Sequence, residues 1–267
     1  IQNAQANGKK EQEDYFTALL KCLNPGAGNE KAEKKNVRVS VNSFFEDKPL
    51  TLNPEVQAGK IEEYVSPLFH APNVSWLVQR NGMDPRSSLM ISQNGSEGNH
   101  MHANGISMEL YGKGYVLGPD AGIGLFLYSG LDYAEYHSQF PSHNTVCVDG
   151  ISSYPVMKSN HSFELLSCFP ASAEPGGEFT SVTYSNLYFR EPESRADQTR
   201  MMSIVTTAPE TGYYVDVFRS RKEKGGDKMH DYFYHNLGQT LTLTAADGTE
   251  GEAVCIIAVC RPKQVIH

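Results

Sequence analysis

Several things are scarce in this 267-residue chain, and each scarcity removes a class of explanation. No stretch approaches the about 18 apolar residues that a membrane-spanning helix needs, and the N-terminus lacks the charged-then-apolar order of a secretory signal. The first residue is Ile rather than Met, which favours a processed or excised segment over a whole gene product. Basic residues are outnumbered: 23 Lys and Arg against 31 Asp and Glu give a net charge of −8. Phosphate-backbone binding is driven by clustered cations, so a general nucleic-acid partner is not expected. The five cysteines form no C-x-x-C pair and are odd in number, so neither a disulfide framework nor a thiolate zinc site is indicated. Cys147, inside the alternating run 145–148, reads as a small core residue. With 39% apolar and 20% charged residues, what remains is an ordinary soluble globular composition.

Within that composition the pattern changes along the chain. Residues 1–35 are rich in Lys, Glu, Asn and Gly, and Tyr15, Phe16, Leu19, Leu20 and Leu23 recur at helical spacing, predicting one amphipathic helix over 11–23. Asn24, Pro25 and Gly26 end it, and 29–35 reads as a solvated charge run. Alternation at Val37, Val39 and Val41 predicts a strand, followed by a connector punctuated by Pro49, Pro54, Pro67 and Pro72. From Val74 onward short alternating segments dominate. Strands are expected at 74–79, 89–93, 106–111, 115–117, 145–148, 161–168, 179–184, 201–206, 213–219, 231–236 and 240–244. Gly and Pro turns between them give the pattern of an antiparallel sandwich or barrel. Gly112-Lys113-Gly114 predicts a hairpin turn, and 222–228 a hairpin tip. The expected organisation is a helix and connector over 1–70, a mainly β, antiparallel sandwich over 71–247, and a tail over 248–267 whose placement is open.

The densest chemistry lies in Gly98-Asn99-His100-Met101-His102-Ala103-Asn104-Gly105, followed by Asp120 and His143, which stand 18 and 41 positions after His102. Imidazole with carboxylate is a donor set that a divalent transition metal accepts, and His102, Asp120 and His143 make a His2Asp zinc site with one position left for water. Strand alternation would place His100 and His102 on one side.

The segments NHMHANGISMELYGKGYVLGPDAGIG, YHSQFPSHNTVCVDG and YYVDVFR, with HDYFYHNLG after them, resemble the C-terminal β-domain of heparinase II/III-type polysaccharide lyases, especially the oligo-alginate lyase branch, over about residues 74–239. The resemblance implies an antiparallel β-sandwich that follows an N-terminal α/α toroid, with the active site in the groove between them. It places a largely structural zinc on His102, Asp120 and His143, and it implies β-elimination at a uronate of an acidic polysaccharide, alginate favoured, in the bacterial periplasm or outside the cell. That reaction needs the substrate carboxylate neutralised, a base at C5 and an acid for O4. Tyr136 is the implied catalytic tyrosine, with Tyr133 as fallback; His100 is the cleft-facing partner of the metal ligand His102, positioned to bind a substrate carboxylate or share proton transfer, or else a hydrogen bonder supporting that ligand. Asn104 and Arg80 are candidates for contacting sugar. The toroid is missing from these residues, with 1–70 a possible remnant, so the isolated sandwich is expected to fold without turning over substrate. Two other readings stay open: a cupin-like metalloenzyme, from the His-x-His pair, and a non-catalytic carbohydrate-binding sandwich.

Overall fold

A computed structural model describes residues 1–24, 52–84, 86–122, 133–152, 157–171, 175–225, 229–237, 243–244 and 247–251. The expected strand at 37–41, the charge run at 29–35 and the apolar tail segment 254–260 lie outside them. The chain divides into two compact units, Ile1–Ser66 with Glu174–Gly177, and Pro67–Ala173 with Glu178–His267.

In the first unit, α1 (Gln2–Ala6) precedes α2 (Lys10–Leu23), the helix that the apolar spacing predicts. Thr17 is buried, and the Tyr15 ring meets Tyr64 edge-on at 5.2 Å. Lys21 Nζ donates to the carbonyls of Asn53 (2.9 Å) and Val56 (2.5 Å), so the helix anchors the following segment through backbone oxygens.

The second unit holds the strands. In chain order they are β1 (Leu68–Ala71), β2 (Trp76–Arg80), β3 (Leu89–Asn94), β4 (Ser96–Asn99), β5 (Ser107–Gly112), β6 (Tyr115–Gly118), β7 (Val146–Val148), β8 (Lys158–His161), β9 (Glu164–Phe169), β10 (Val182–Arg190), β11 (Asp197–Ala208), β12 (Thr211–Arg221), β13 (His230–Tyr232), β14 (Leu243–Thr244) and β15 (Glu250–Gly251). They form a five-stranded sheet, β1-β2-β3-β5-β6, a four-stranded sheet, β12-β11-β10-β9, and three two-stranded ribbons, β13-β7, β4-β8 and β14-β15. Every pairing among the described residues is antiparallel.

Period-2 alternation decides which side of each strand is buried. Leu77 of β2, Leu89 and Ile91 of β3, and Met108 and Leu110 of β5 face Leu187 and Phe189 of β10 and Met202 and Ile204 of β11. Two sheets packed on these faces make a β-sandwich. Polar residues at inward positions are paired across the interface: Gln79 Nε2 donates to the Met202 carbonyl (3.1 Å), and the Ser185 hydroxyl donates to Gln93. The β5–β6 hairpin turns on Lys113 and Gly114, at φ 55° and 82°, the pair of positive φ values a type I′ turn requires.

Four expectations shift. Residues 72–74 form a 3-10 turn, so β2 starts later than 74. The single strand expected over 161–168 is two, because the chain leaves the β4–β8 ribbon after His161 and Phe163 turns into the core, its N–H reaching Ser75 Oγ at 3.3 Å. β10 runs to Arg190, well past the expected end at 184. β13 stops at Tyr232: the Phe233 N–H still bonds to the Thr145 carbonyl in the same register (2.9 Å), but the His235 N–H goes to a side chain, Asn144 Oδ1 (2.5 Å), and the ladder ends there. Cys147 is buried as expected, and burial pushes its thiol up to about 11.

Candidate active site and metal centre

His100 and His102 are not on a strand. β4 ends at Asn99, His100 adopts a left-handed φ of 62°, and an irregular loop follows. That removes the alternation argument for the pair. The loop is held at three points: the His100 N–H donates to the Met157 carbonyl (2.7 Å), Ser96 Oγ to the His102 carbonyl (2.7 Å), and the Ala103 N–H to the Ser138 carbonyl (3.1 Å). His100 and His102 still share one hollow of about 250 Å³, together with Asn104, Glu109, Asp120 and His143.

Gly105 closes this loop at φ 57°, and a β-carbon there would lie 2.7 Å from Phe140 Cε1 and 2.9 Å from Thr145 Oγ1. Both the backbone region and the space demand glycine. Gly105→Ala is expected to destabilise the protein by about 1–3 kcal/mol, measured by chemical unfolding. An unchanged midpoint would show that the Phe140 ring yields without cost.

His143 and Asp120 meet directly. His143 Nδ1 donates to Asp120 Oδ2 at 2.6 Å, and the Gly122 N–H caps Asp120 Oδ1 at 2.9 Å. Burial raises the Asp120 pKa, but His143 and these hydrogen bonds outweigh it and hold the carboxyl below its ordinary value. With Nδ1 committed to Asp120, the other ring nitrogen of His143, Nε2, is buried with no hydrogen-bond partner. His102 lies with its ring centroid 5.3 Å from that of His143 and 5.4 Å from that of Tyr133. Burial, reinforced by His143, pushes His102 down to about 4, which leaves it a neutral imidazole.

The expected zinc residues are thus brought into one hollow, yet among the described residues no three His, Cys, Asp or Glu side chains are gathered as an ion-holding group. In the His143–Asp120 bond the carboxylate orients the imidazole rather than standing beside it as a separate donor. The donor types still suit zinc: two imidazoles, one with a buried and unpartnered nitrogen, and one carboxylate.

Tyr136 sits in a π-helical turn, Tyr133–His137, with Tyr133 buried against His102. Its hydroxyl is 3.4 Å from His235 Nε2. Asn144 fixes that histidine. Its amide Nδ2 donates to the Met108 and Pro119 carbonyls at 2.9 Å each, so Oδ1 is the acceptor for the His235 N–H and for Nδ1–H (3.1 Å). Nδ1 therefore carries the proton, and Nε2 accepts from Tyr136. Burial lowers the His235 pKa; burial and then Asp120 raise that of Tyr136.

His235 and Asn144 are the residues that sequence reasoning missed. His235 was visible only as one of two histidines flanking a short aromatic run, and Asn144 only as a polar residue between His143 and an apolar strand. Glu109 was also unassigned to this site. It lines the hollow, accepts from the Tyr111 hydroxyl, and has a pKa raised by burial. Asn104 is nearly buried and braces the loop, its amide donating to the Gly95 carbonyl at 3.3 Å. Arg80 is not brought to this hollow. It lines a separate one with Met83, Met90, Tyr111, Tyr115 and Val116.

A family model described as heparinase II/III-like, C-terminal, matches residues 65–215, more than half of the chain. The chain belongs to this family. An endo-acting ulvan lyase of Formosa agariphila is 31% identical over 158 residues, which are 56% of this chain and 19% of that protein. The chain therefore spans about a fifth of the length of that curated relative. The solved structure described as the heparinase III BT4657 gene product superposes with a TM-score of 0.51 at 15% identity, covering 72% of this chain and 27% of the other, a likeness of fold. A heparan sulfate lyase HepC mutant from Pedobacter heparinus gives 0.35 at 14% identity over 70% of this chain and 38% of its own. No helix among the described residues is long and apolar enough to cross a membrane.

Proposed function

We propose that this β-sandwich is the part of a polysaccharide lyase that supplies a tyrosine–histidine proton relay for β-elimination at a uronate residue. One observation carries the reading: the Tyr136 hydroxyl is aimed at His235 Nε2, whose other nitrogen is fixed by Asn144, the neighbour of His143. In β-elimination the C5–H and C4–O4 bonds break, a C4–C5 double bond forms, and O4 leaves protonated. Tyr136 is protonated at rest because its pKa is raised. It passes its proton to His235 Nε2 as it takes the C5 proton, then protonates O4 and recovers its own proton from His235. The 3.4 Å separation is long for such a bond and is expected to tighten once substrate is bound. His100, on the rim of the same hollow, and Asn104 are assigned to holding the substrate.

The residues that would hold a zinc ion are His102, Asp120 and His143, and bound there the ion would supply structural cross-linking between the His100–Gly105 loop and the segments that follow β6 and precede β7. Elemental mass spectrometry of the purified chain is expected to find near-stoichiometric zinc, lost in His143→Ala together with thermal stability. A well-folded, metal-free protein would overturn the assignment.

Among uronate glycans, the sequence motifs favour alginate, while the named relative favours ulvan. Both are assayed by the ultraviolet absorbance of the unsaturated product, with the sandwich joined to an α/α toroid. Retention of glycan without any rise in absorbance would replace the lyase reading with that of a carbohydrate-binding sandwich. The cupin-like alternative has lost its basis, since the sheets are two packed layers and the His-x-His pair lies in a loop. By family likeness the site of action is the periplasm or the cell exterior.

A further inference from the structure

The hollow around Arg80 has a volume of about 300 Å³ and shares no lining residue with the histidine hollow. Its floor is one cross-strand row on the outer face of the five-stranded sheet. Arg80 stands opposite Met90, Met90 opposite Tyr111, and Tyr111 opposite Val116, so all four side chains project to the same side. Tyr115, 72% exposed, and Met83 complete its walls.

Arg80 is unusual in being provided for so poorly. Its Nε is buried with no acceptor, and the partner of Nη1 is the weakly accepting Met83 sulfur at 3.6 Å. Among the described residues no carboxylate lies within ion-pair distance of it. Arg200, in contrast, has every guanidinium nitrogen engaged. A guanidinium stays charged, and leaving its donors unmatched is costly, so an acceptor entering this hollow would meet Arg80 with no competing carboxylate among the described residues.

We infer that the Arg80 hollow is a second subsite, one that takes the carboxylate of an acidic sugar while the apolar face of the ring lies on Tyr115, Met90 and Val116. Apolar walls with one orienting charge are the usual make-up of a small-ligand site. The two hollows are joined along β5, whose outward side chains are Ser107 and Glu109, lining the histidine hollow, and Tyr111, lining this one; the Tyr111 hydroxyl donates to Glu109. From Ser107 to Tyr111 the strand advances about 13 Å, a distance spanned by an oligosaccharide and not by a single sugar. The subsite therefore holds a uronate further along the same glycan. The inference deepens, and rests on, the reading of this protein as a uronate-glycan lyase.

The test is nitrogen-15 NMR of arginine Nε–H groups in the 267-residue chain, with the Arg80 signal assigned by its loss in Arg80→Lys. Sodium glucuronate is expected to shift that signal saturably, glucose and sodium sulfate not to, and Tyr136→Phe to leave the shift intact. Arg80→Gln is expected to weaken binding of alginate or ulvan oligosaccharides about tenfold. No shift with glucuronate, or an equal shift with sulfate, overturns the subsite, and the wild-type signal gives that answer even if a variant fails to fold. Elimination that is intact while the Arg80 signal stays still removes the subsite alone. A persistent Arg80 shift in a protein that performs no elimination removes the lyase reading alone.

Discussion

Tyr136→Phe, in a protein carrying both the α/α toroid and this sandwich, is expected to lower the elimination rate by about 10²–10⁴-fold, the usual contribution of a positioned acid–base group. In activation free energy that is about 3–5 kcal/mol. Stability should change little, because the substitution removes one long hydrogen bond from a half-buried ring. His235→Gln is expected to act in the same direction. The pH dependence has a definite sign. His235 must be neutral to accept from Tyr136, and its pKa lies below the ordinary 6.5, so the acid limb of the rate profile should fall below that value. Tyr136, with its pKa raised, stays protonated through neutral and mildly alkaline pH. Both points are checked by kcat and kcat/KM profiles beside a circular dichroism control. Turnover unaffected by Tyr136→Phe would remove the relay and with it the proposed role of this domain in chemistry.

Arg200→Met should be the most damaging single change to the fold. Arg200 is fully buried on the inward face of β11. It donates twice to Asp216, from Nε at 3.0 Å and Nη2 at 2.6 Å, and from Nη1 to the carbonyls of Ile106 (2.7 Å) and Asn144 (2.6 Å). The rings of Phe218 and Tyr232 lie 5.2 and 5.9 Å from the guanidinium carbon. Methionine fills part of the volume and none of these bonds, leaving Asp216 without its cation and two backbone carbonyls without donors. The expected loss is about 3–5 kcal/mol, seen as a lower urea midpoint at unchanged slope. Arg200→Met with Asp216→Leu should recover part of it, since the stranded carboxylate is then gone. An Arg200→Met protein of wild-type stability would show that the sandwich closes without this cation. Because Asn144 also carries His235 and neighbours His143, the same substitution should loosen the Tyr136–His235 pair and reduce turnover beyond what partial unfolding explains.

How much of this was legible differs by element. Strands β3, β5 and β11 were visible because Leu89 and Ile91, Met108 and Leu110, and Met202 and Ile204 alternate with residues that face outward, and one buried face is enough to impose that period. The Gly112-Lys113-Gly114 turn was equally plain, since a two-residue hairpin of this type needs positive φ and a glycine provides it. The ends of β10 and β13 were not legible, because a strand lasts as long as its neighbour's hydrogen bonds do, and that neighbour is distant in sequence.

The site divides in the same way. Residue type and order singled out His102, Asp120 and His143 as candidates, the family resemblance added Tyr136, and alternation of apolar residues narrowed the scaffold to an antiparallel sandwich or barrel. What only the tertiary structure decided is how those groups use each other: Asp120 spends its carboxylate on His143 Nδ1, Tyr136 meets a histidine 99 residues further on, and Arg80 opens into a hollow of its own. Periodicity is a property of neighbours along the chain and reports burial. Hydrogen bonds between loops depend on the register of the strands that carry them, and that register is set only when the two sheets pack.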